Sequence, residues 1–392
     1  MQKVMLIFGT RPEAIKMVPL VKALEQADGF EPQVVVTAQH REMLDQILEL
    51  FDVTPNVDLD LMQPGQSLAG LTSRVVERLE PVIADLQPDV VLVQGDTTTT
   101  FCGALSAFYE NVPVGHVEAG LRTGDIRSPF PEEMNRVLTT RLTTWHFAAT
   151  DSNRQTLLSE GVDPASVFVT GNPVIDSLLK IRDQIDQGVR SSQTDGLFAR
   201  FKRPYVLVTG HRRESFGGGF ESICTAIRTL ADRHPEFDIV YPVHLNPNVQ
   251  EPVNRILSGI SNVHLIDPLS YEPFVAMMAR SFFVLTDSGG VQEEAPSLGK
   301  PVLVMRDKTE RQEGLEGGVR LVGTDANRIL KESERLMTDD LHYRSMAEAI
   351  NPYGDGQAAE RIVSLLDRLQ SPASEEAPDL ATAAAIPVAG GD

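Results

Sequence analysis

The chain is 392 residues long, 42% hydrophobic and 23% charged, with a formal net charge of -20. Its length exceeds what one small core organises and predicts two domains of an ordinary globular protein. The acidic balance excludes nucleic acid as a partner, because a phosphate backbone requires a basic surface, but not a small phosphate ligand, for which a few local Arg or Lys side chains suffice.

In chain order, VMLIFGT predicts a strand ending at Gly9, and Pro12 with Glu13 opens an amphipathic helix behind it. Arg11 and Lys16 set two cations beside that N-terminus, where they oppose the helix dipole. A phosphate or carboxylate ligand is the natural completion; the alternative is an ion pair between Arg11 and an acid further along. PQVVVTAQ is a second strand and HREMLDQILELF a helix. Asp58-Leu59-Asp60 has the look of a metal-holding acidic triplet, but alternation in a short strand produces it as easily. After the helix LAGLTSRVVERLEPVIADL comes DVVLVQGD, apolar and β-branched without alternation, as in a strand covered on both faces.

That strand ends on Asp96. Thr97 to Thr100 supply hydroxyl caps for a helix carrying CGALSAFY, and VPVGHVEAG is a further buried strand with Glu118 at its C-terminal edge. The loop past Arg122 and Asp125 reaches Pro131, Glu132 and Glu133 at the next helix start. WHFAAT and VFVTGN add two strands around a helix, closing the first unit near Asn172 and Pro173. Asp96, Glu118 and Glu132 therefore share one edge of a parallel sheet, the edge where such sheets bind ligands. Asp96 could equally be only a helix cap, and Glu132 only a first-turn acid; Glu118, at a strand terminus, has no capping task.

From Asp176 to Pro204 the sequence reads as a helix plus linker. The β-α rhythm then restarts with YVLVTGH, a helix from Phe220 to Arg233, FDIVYPVH, a helix around Val249 to Leu257, VHLIDPL, FVAMMARS, FFVLTDSGG, the EEAPSLGK turn of helix, PVLVMRD and VRLVG. A second Rossmann-like domain follows the first. Polar residues again gather at strand ends: His211, Arg212 and Arg213, then His244, then Asp287-Ser288-Gly289-Gly290. The glycine pair between strand and helix lets backbone amides approach a phosphate. No G-x-G-x-x-G follows a strand, and there is no Walker A sequence, H-E-x-x-H or cysteine cluster, so neither a nicotinamide cofactor nor a metal is implied.

Cys102 and Cys224 lie far apart and read as reduced, buried thiols of a cytoplasmic protein. The apolar run Val4–Phe8 is too short for a signal-peptide core, and no later stretch reaches the ~18 apolar residues of a membrane span. The stretch from Ser371 onward, rich in Ala, Pro and acids, predicts a disordered tail.

GTRPEAIK at 9–16, GDTTTT at 95–100, GHVEAGLRTGD at 115–125, PEEMNR at 131–136, GHRRES at 210–215, PVHLNP at 242–247 and TDSGGVQEEAPSLGKPVLVMRD at 286–307 resemble the non-hydrolysing UDP-N-acetylglucosamine 2-epimerases of bacteria. The similarity runs from residue 3 to about 369. It implies a GT-B-like α/β fold, two Rossmann-like doubly wound domains facing a central cleft: residues 1–173 with a returning C-terminal helix 357–370, then a UDP-binding domain 174–356, with the tail 371–392 outside both. The activity implied is C2 inversion of UDP-GlcNAc to UDP-ManNAc without a cofactor, in a homodimer.

The same resemblance implies a catalytic set of Arg11, Lys16, Asp96, Glu118, Glu132 and His211. It places UDP on Arg11, Lys16, His211, Leu269, Phe274, Ser288, Gly289, Gly290, Glu294 and Arg311. An activator site for a second UDP-GlcNAc would use Gln39, Glu42, Glu133, Arg212 and His244. Two departures stand out: Glu42 replaces the Gln of some relatives, and KTERQEGLEGGVRL carries Gln312 where the family's usual TERPE has proline. A GT-B glycosyltransferase and a hydrolysing epimerase are the rival readings of the same donor site, and a non-catalytic nucleotide-sugar sensor a third.

Overall fold

The computed structural model describes residues 1–38, 41–61, 65–212 and 216–370. The first half runs β1 (Gln2–Phe8), α1 (Arg11–Gln26), β2 (Phe30–Val36), α2 (Arg41–Leu50), β3 (Val57–Asp58), α3 (Leu68–Leu86), β4 (Val90–Gln94), α4 (Thr98–Tyr109), β5 (Val114–Ala119), α5 (Glu132–Leu142), β6 (Trp145–Ala148), α6 (Asp151–Ser159) and β7 (Val167–Val169). Then follow α7 (Pro173–Asp186), α8 (Ser192–Arg200), β8 (Tyr205–Thr209), α9 (Gly218–Arg233), β9 (Asp238–Pro242), α10 (Pro247–Leu257), β10 (Val263–Ile266), α11 (Tyr271–Arg280), β11 (Phe283–Thr286), α12 (Gly289–Ser297), β12 (Val302–Val304) and β13 (Val319–Leu321). Three helices, α13 (Ala326–Thr338), α14 (Asp340–Ala347) and α15 (Ala358–Gln370), complete the described chain.

The strands form two parallel sheets, ordered β3-β2-β1-β4-β5-β6-β7 and β10-β9-β8-β11-β12-β13. Continuous apolar runs make them so: Val90–Val93 and Val206–Val208 are fully buried, as parallel strands flanked by helices on both faces require. In each sheet the strand order reverses at one place, between β1 and β4 and between β8 and β11, and the crevice at the carboxyl ends of such a pair is where ligands sit in doubly wound folds. Chain leaving β1 and β4 carries Arg11 and Asp96; chain leaving β8 and β11 carries His211 and Ser288–Gly290. Two doubly wound sheets of this order make the α/β fold GT-B-like.

The segment 176–204 differs from its reading. It holds two helices, because α7 buries Ile175, Leu178, Ile181 and Ile185 while Ser191 caps a separate α8. Helix α7 packs against α1 and α15 on one side and against α11 and α12 on the other. Accordingly one apolar core runs through both halves, with Leu178 and Ile181 joining Leu20 and Ile362 to Val275 and Val291. Helices α13 and α14 also go beyond the β-α rhythm read from the sequence. Among the described residues no helix is long and apolar enough to cross a membrane. The expected tail, 371–392, lies outside the described residues, as do Arg213 and Gln39.

Candidate active site

Glu118 is the centre of the first-half site. Strand register shifts between Val117 and Ala119, and Glu118 between them takes φ +62, a left-handed conformation uncommon for a residue with a side chain. The distortion turns its buried carboxylate onto three neighbours: the Lys16 ammonium from α1, the Gln94 amide from β4, and the Arg311 guanidinium at 3.9 Å from the second half. Burial alone would push the Glu118 pKa up, but Lys16 and Arg311 outweigh it and hold the carboxyl below its usual value. Lys16 moves the other way: burial would lower it, yet Glu118 and Glu293 keep the ammonium more firmly protonated than in water.

Asp96 follows β4 at the matching level of the neighbouring strand, since Gln94 pairs with Val117. Its Oδ2 accepts from Arg136 Nη2 at 2.6 Å and Nε at 2.9 Å, and its backbone carbonyl accepts from Asn135 Nδ2 at 2.8 Å. Arg136 is held in turn by Glu133 Oε2 at 2.7 Å, while Glu133 Oε1 accepts the backbone N–H groups of Thr123 and Gly124 at 3.0 and 3.1 Å. Behind Asp96, His116 Nε2 donates to the Gly95 carbonyl at 2.8 Å, and burial lowers the His116 pKa to about 3, so the ring stays neutral. Glu13 closes the floor, accepting from the Gly9 and Thr10 amides and from the Thr97 hydroxyl at 3.1, 2.8 and 2.7 Å.

In the second half, Ser288 caps α12 and Gly289 and Gly290 form its first turn, leaving unpaired N–H groups at a helix N-terminus. Below them Arg311 is pinned by Glu293 at 2.6 Å and by Glu310, and Glu293 also accepts from Asn172 Nδ2 at 3.0 Å. Glu294 accepts the Tyr271 hydroxyl at 2.8 Å, and burial raises its pKa to about 7. Arg11 reaches this side: burial lowers its pKa while the nearest opposing charge is Glu294, and its guanidinium makes no hydrogen bond or salt bridge among the described residues. A partly buried cation without a partner beside a helix N-terminus is a receptor for an anion. His211, half-exposed, stacks on His244 with centroids 5.2 Å apart. Leu269 and Phe274 pack partly buried at the start of α11.

A carboxylate-lined first half thus faces an anion-receiving second half, and the family model for UDP-N-acetylglucosamine 2-epimerase matches residues 22–367. The chain belongs to the UDP-N-acetylglucosamine 2-epimerase family. It is therefore an isomerase. The UDP-N-acetylglucosamine 2-epimerase of Yersinia pestis is 58% identical over 373 residues, which cover 94% of this chain and 99% of that one. Among solved structures, the UDP-GlcNAc 2-epimerase of Neisseria meningitidis bound to UDP-GlcNAc superposes with a TM-score of 0.89 at 47% identity, over 94% of this chain and 100% of that one. The enzyme of Methanocaldococcus jannaschii in complex with UDP-GlcNAc and UDP does so with a TM-score of 0.79 at 31% identity, over 94% and 100%.

In this epimerase-family chain some residues stand where the sequence put them and others do not. Asp96 and Glu118 share an edge and share Arg136 as a neighbouring charge. Glu132 opens α5 half-buried, and its carboxylate makes no hydrogen bond or ion pair among the described residues. Lys16 does not wait for a ligand anion, because Glu118 already occupies it. At that helix start only Arg11 is left without a hydrogen bond or ion pair among the described residues. Glu133 has both oxygens engaged by the chain itself, and Arg122 turns away to pair with Glu160 at 2.8 Å. Gln39 and the Glu42 side chain lie outside the described residues. Gln94, Arg136, Glu293 and Tyr271 were missed; the signal for Gln94 was a polar residue closing an otherwise apolar strand. Among the described residues no cluster of three or more His, Cys, Asp or Glu could hold a metal ion.

Proposed function

We propose that the chain interconverts UDP-GlcNAc and UDP-ManNAc by inverting C2. The C2 hydrogen is not beside a carbonyl, so a base cannot simply remove it. Breaking the anomeric C–O bond first, with its electron pair leaving on the UDP oxygen, makes C1 oxocarbenium-like and acidifies C2. A carboxylate then takes the C2 proton, and the C–H pair forms the C1–C2 double bond of 2-acetamidoglucal. Protonation at C2 from the opposite face and return of the UDP oxygen to C1 complete the inversion. The route consumes no cofactor, and both fragments stay bound throughout.

UDP lies on the second half in this reading: Leu269 backbone and Phe274 at uracil, Glu294 at the ribose hydroxyls, and Ser288, Gly289 and Gly290 amides at the phosphates. Arg11 and His211 face the departing diphosphate, where preorganised donors meet developing charge. Asp96, Glu118 and Glu132 share the proton transfers, and Lys16 and Arg311 keep Glu118 ionised. Residues 1–173 with the returning helix form one domain and 174–356 the other, closing on the substrate. A second UDP-GlcNAc binds beside Arg212 and His244, with Gln39, Glu42 and Glu133 completing the activator site. The enzyme works in the cytoplasm as a homodimer and supplies ManNAc units for surface polysaccharide.

The observation that carries this reading is Glu118: buried, held ionised, and bracketed by Lys16 from one half and Arg311 from the other. UDP-GlcNAc incubated alone and followed by NMR tests it. UDP-ManNAc should accumulate to a constant ratio. An unchanged substrate, converted only when an acceptor sugar is added, would mark a glycosyltransferase, and release of free ManNAc with UDP a hydrolysing enzyme.

A further inference from the structure

Asp287 lies outside the machinery described so far, and it is fully buried behind His211. Its Oδ2 accepts two backbone N–H groups, from His211 at 2.7 Å and Arg212 at 2.8 Å. Among the described residues its Oδ1 has no hydrogen-bond partner, although a buried carboxylate oxygen left unpaired is costly. That oxygen lies 3.6 Å from His211 Nδ1, just beyond hydrogen-bonding distance. Contacts of this kind in ligand-free sites shorten when substrate closes the site.

The surroundings fix the pair. Tyr241 donates to the Gly210 carbonyl at 2.9 Å, and a Cβ at Gly210 would lie 3.1 Å from the Tyr241 hydroxyl and 3.7 Å from Asp287 Oδ2. The glycine therefore lets the strand end run tight against the Tyr241 hydroxyl, with Asp287 in ordinary contact on the same side. On its other face the imidazole stacks on His244 at an interplanar angle of 13°, and His244 Nδ1 already accepts the Asn246 N–H at 3.1 Å. The charges facing the His211 ring are Asp287, His244, Arg212 and Arg11, of which Asp287 alone favours a protonated ring.

We infer that Asp287 is the positioning residue of His211: its free oxygen holds a proton on Nδ1, leaving Nε2 turned to the nucleotide's diphosphate. This rests on the reading of His211 given above. In the free protein the neutral ring carries Nδ1–H and a bare Nε2. Once a diphosphate binds, the ring stands between two anions and takes up a second proton at Nε2, which it donates to the oxygen released when the anomeric bond breaks.

The full chain with 15N-labelled histidine tests the pairing, His211→Gln serving to assign one ring among eight. His211 should show a protonated Nδ1 and a bare Nε2, and UDP should protonate Nε2. In Asp287→Asn the amide oxygen can keep the two backbone N–H groups while its NH2 faces Nδ1, so the neutral tautomer should reverse. The kcat should then fall by about 100-fold with KM nearly unchanged, and the double variant should be no slower than His211→Gln. A wild-type Nε2–H tautomer, a UDP complex with Nε2 still bare, or losses that multiply in the double variant would overturn the inference. The wild-type spectra decide even if Asp287→Asn fails to fold. They also decide if UDP-GlcNAc is not turned over, an outcome that removes the epimerase reading instead.

Discussion

Asp96 and Glu118 end neighbouring strands yet sit in different surroundings. Asp96 is paired to Arg136 at 2.6 Å and stays partly open to the cleft, whereas Glu118 is enclosed. Asp96→Asn keeps the shape and removes the charge, so turnover should drop by at least about 100-fold. UDP affinity measured by calorimetry should stay near wild type, because the proposed nucleotide contacts do not include Asp96; an active variant would take Asp96 out of the proton transfers. Glu294 gives a pH signature. Burial raises its pKa to about 7, so between the ordinary Glu value and pH 7 the folded chain holds a proton that the unfolded chain releases. Its contribution is complete at low pH and is lost as pH rises through that window. Urea denaturation across pH should show Glu294→Gln gaining on wild type by roughly 3 kcal/mol from pH 4.5 to 8, and parallel curves would contradict this.

At the scale of elements, α12 gives Gly289, the first of its glycine pair, a packing reason that the sequence did not show. The Ser-Gly-Gly turn reads as a phosphate approach, but a Cβ on Gly289 would lie 2.7 Å from Arg311 Cζ, and Arg311 cannot yield because Glu293 and Glu310 pin it. Gly289→Ala should therefore cost about 1–3 kcal/mol of stability by overpacking and weaken UDP binding as the amides shift; unchanged values in denaturation and calorimetry would refute it. The strands were legible because parallel strands buried on both faces are uninterrupted apolar runs. Helix α8 was obscured by Gly196 and by its Ser, Thr and Asp residues, which favour turns as readily as helix. Helix α13 was legible in principle: Asp325 caps it and Ile329, Leu330 and Leu336 share its buried face.

Across the whole molecule, what the sequence could not give were partnerships between distant positions. Glu293 meets Asn172 at 3.0 Å, Glu313 meets the Thr150 hydroxyl at 2.7 Å, and Arg311 approaches Glu118, each joining the second half to the first. Motif resemblance named Arg11, Lys16 and Glu118 together, but only the fold separates them into an occupied pair and a cation unpartnered among the described residues. On the proposed reading that division matters: Lys16 and Arg311 already balance the Glu118 carboxylate, and Arg11, without a partner among the described residues, is the cation available to a diphosphate. Turnover of UDP-GlcNAc in deuterated water, read by NMR and mass spectrometry of the products, tests this most directly. One deuterium should enter at C2 of UDP-ManNAc and of recovered UDP-GlcNAc; UDP-ManNAc formed with its C2 hydrogen fully retained would contradict proton exchange by these acids.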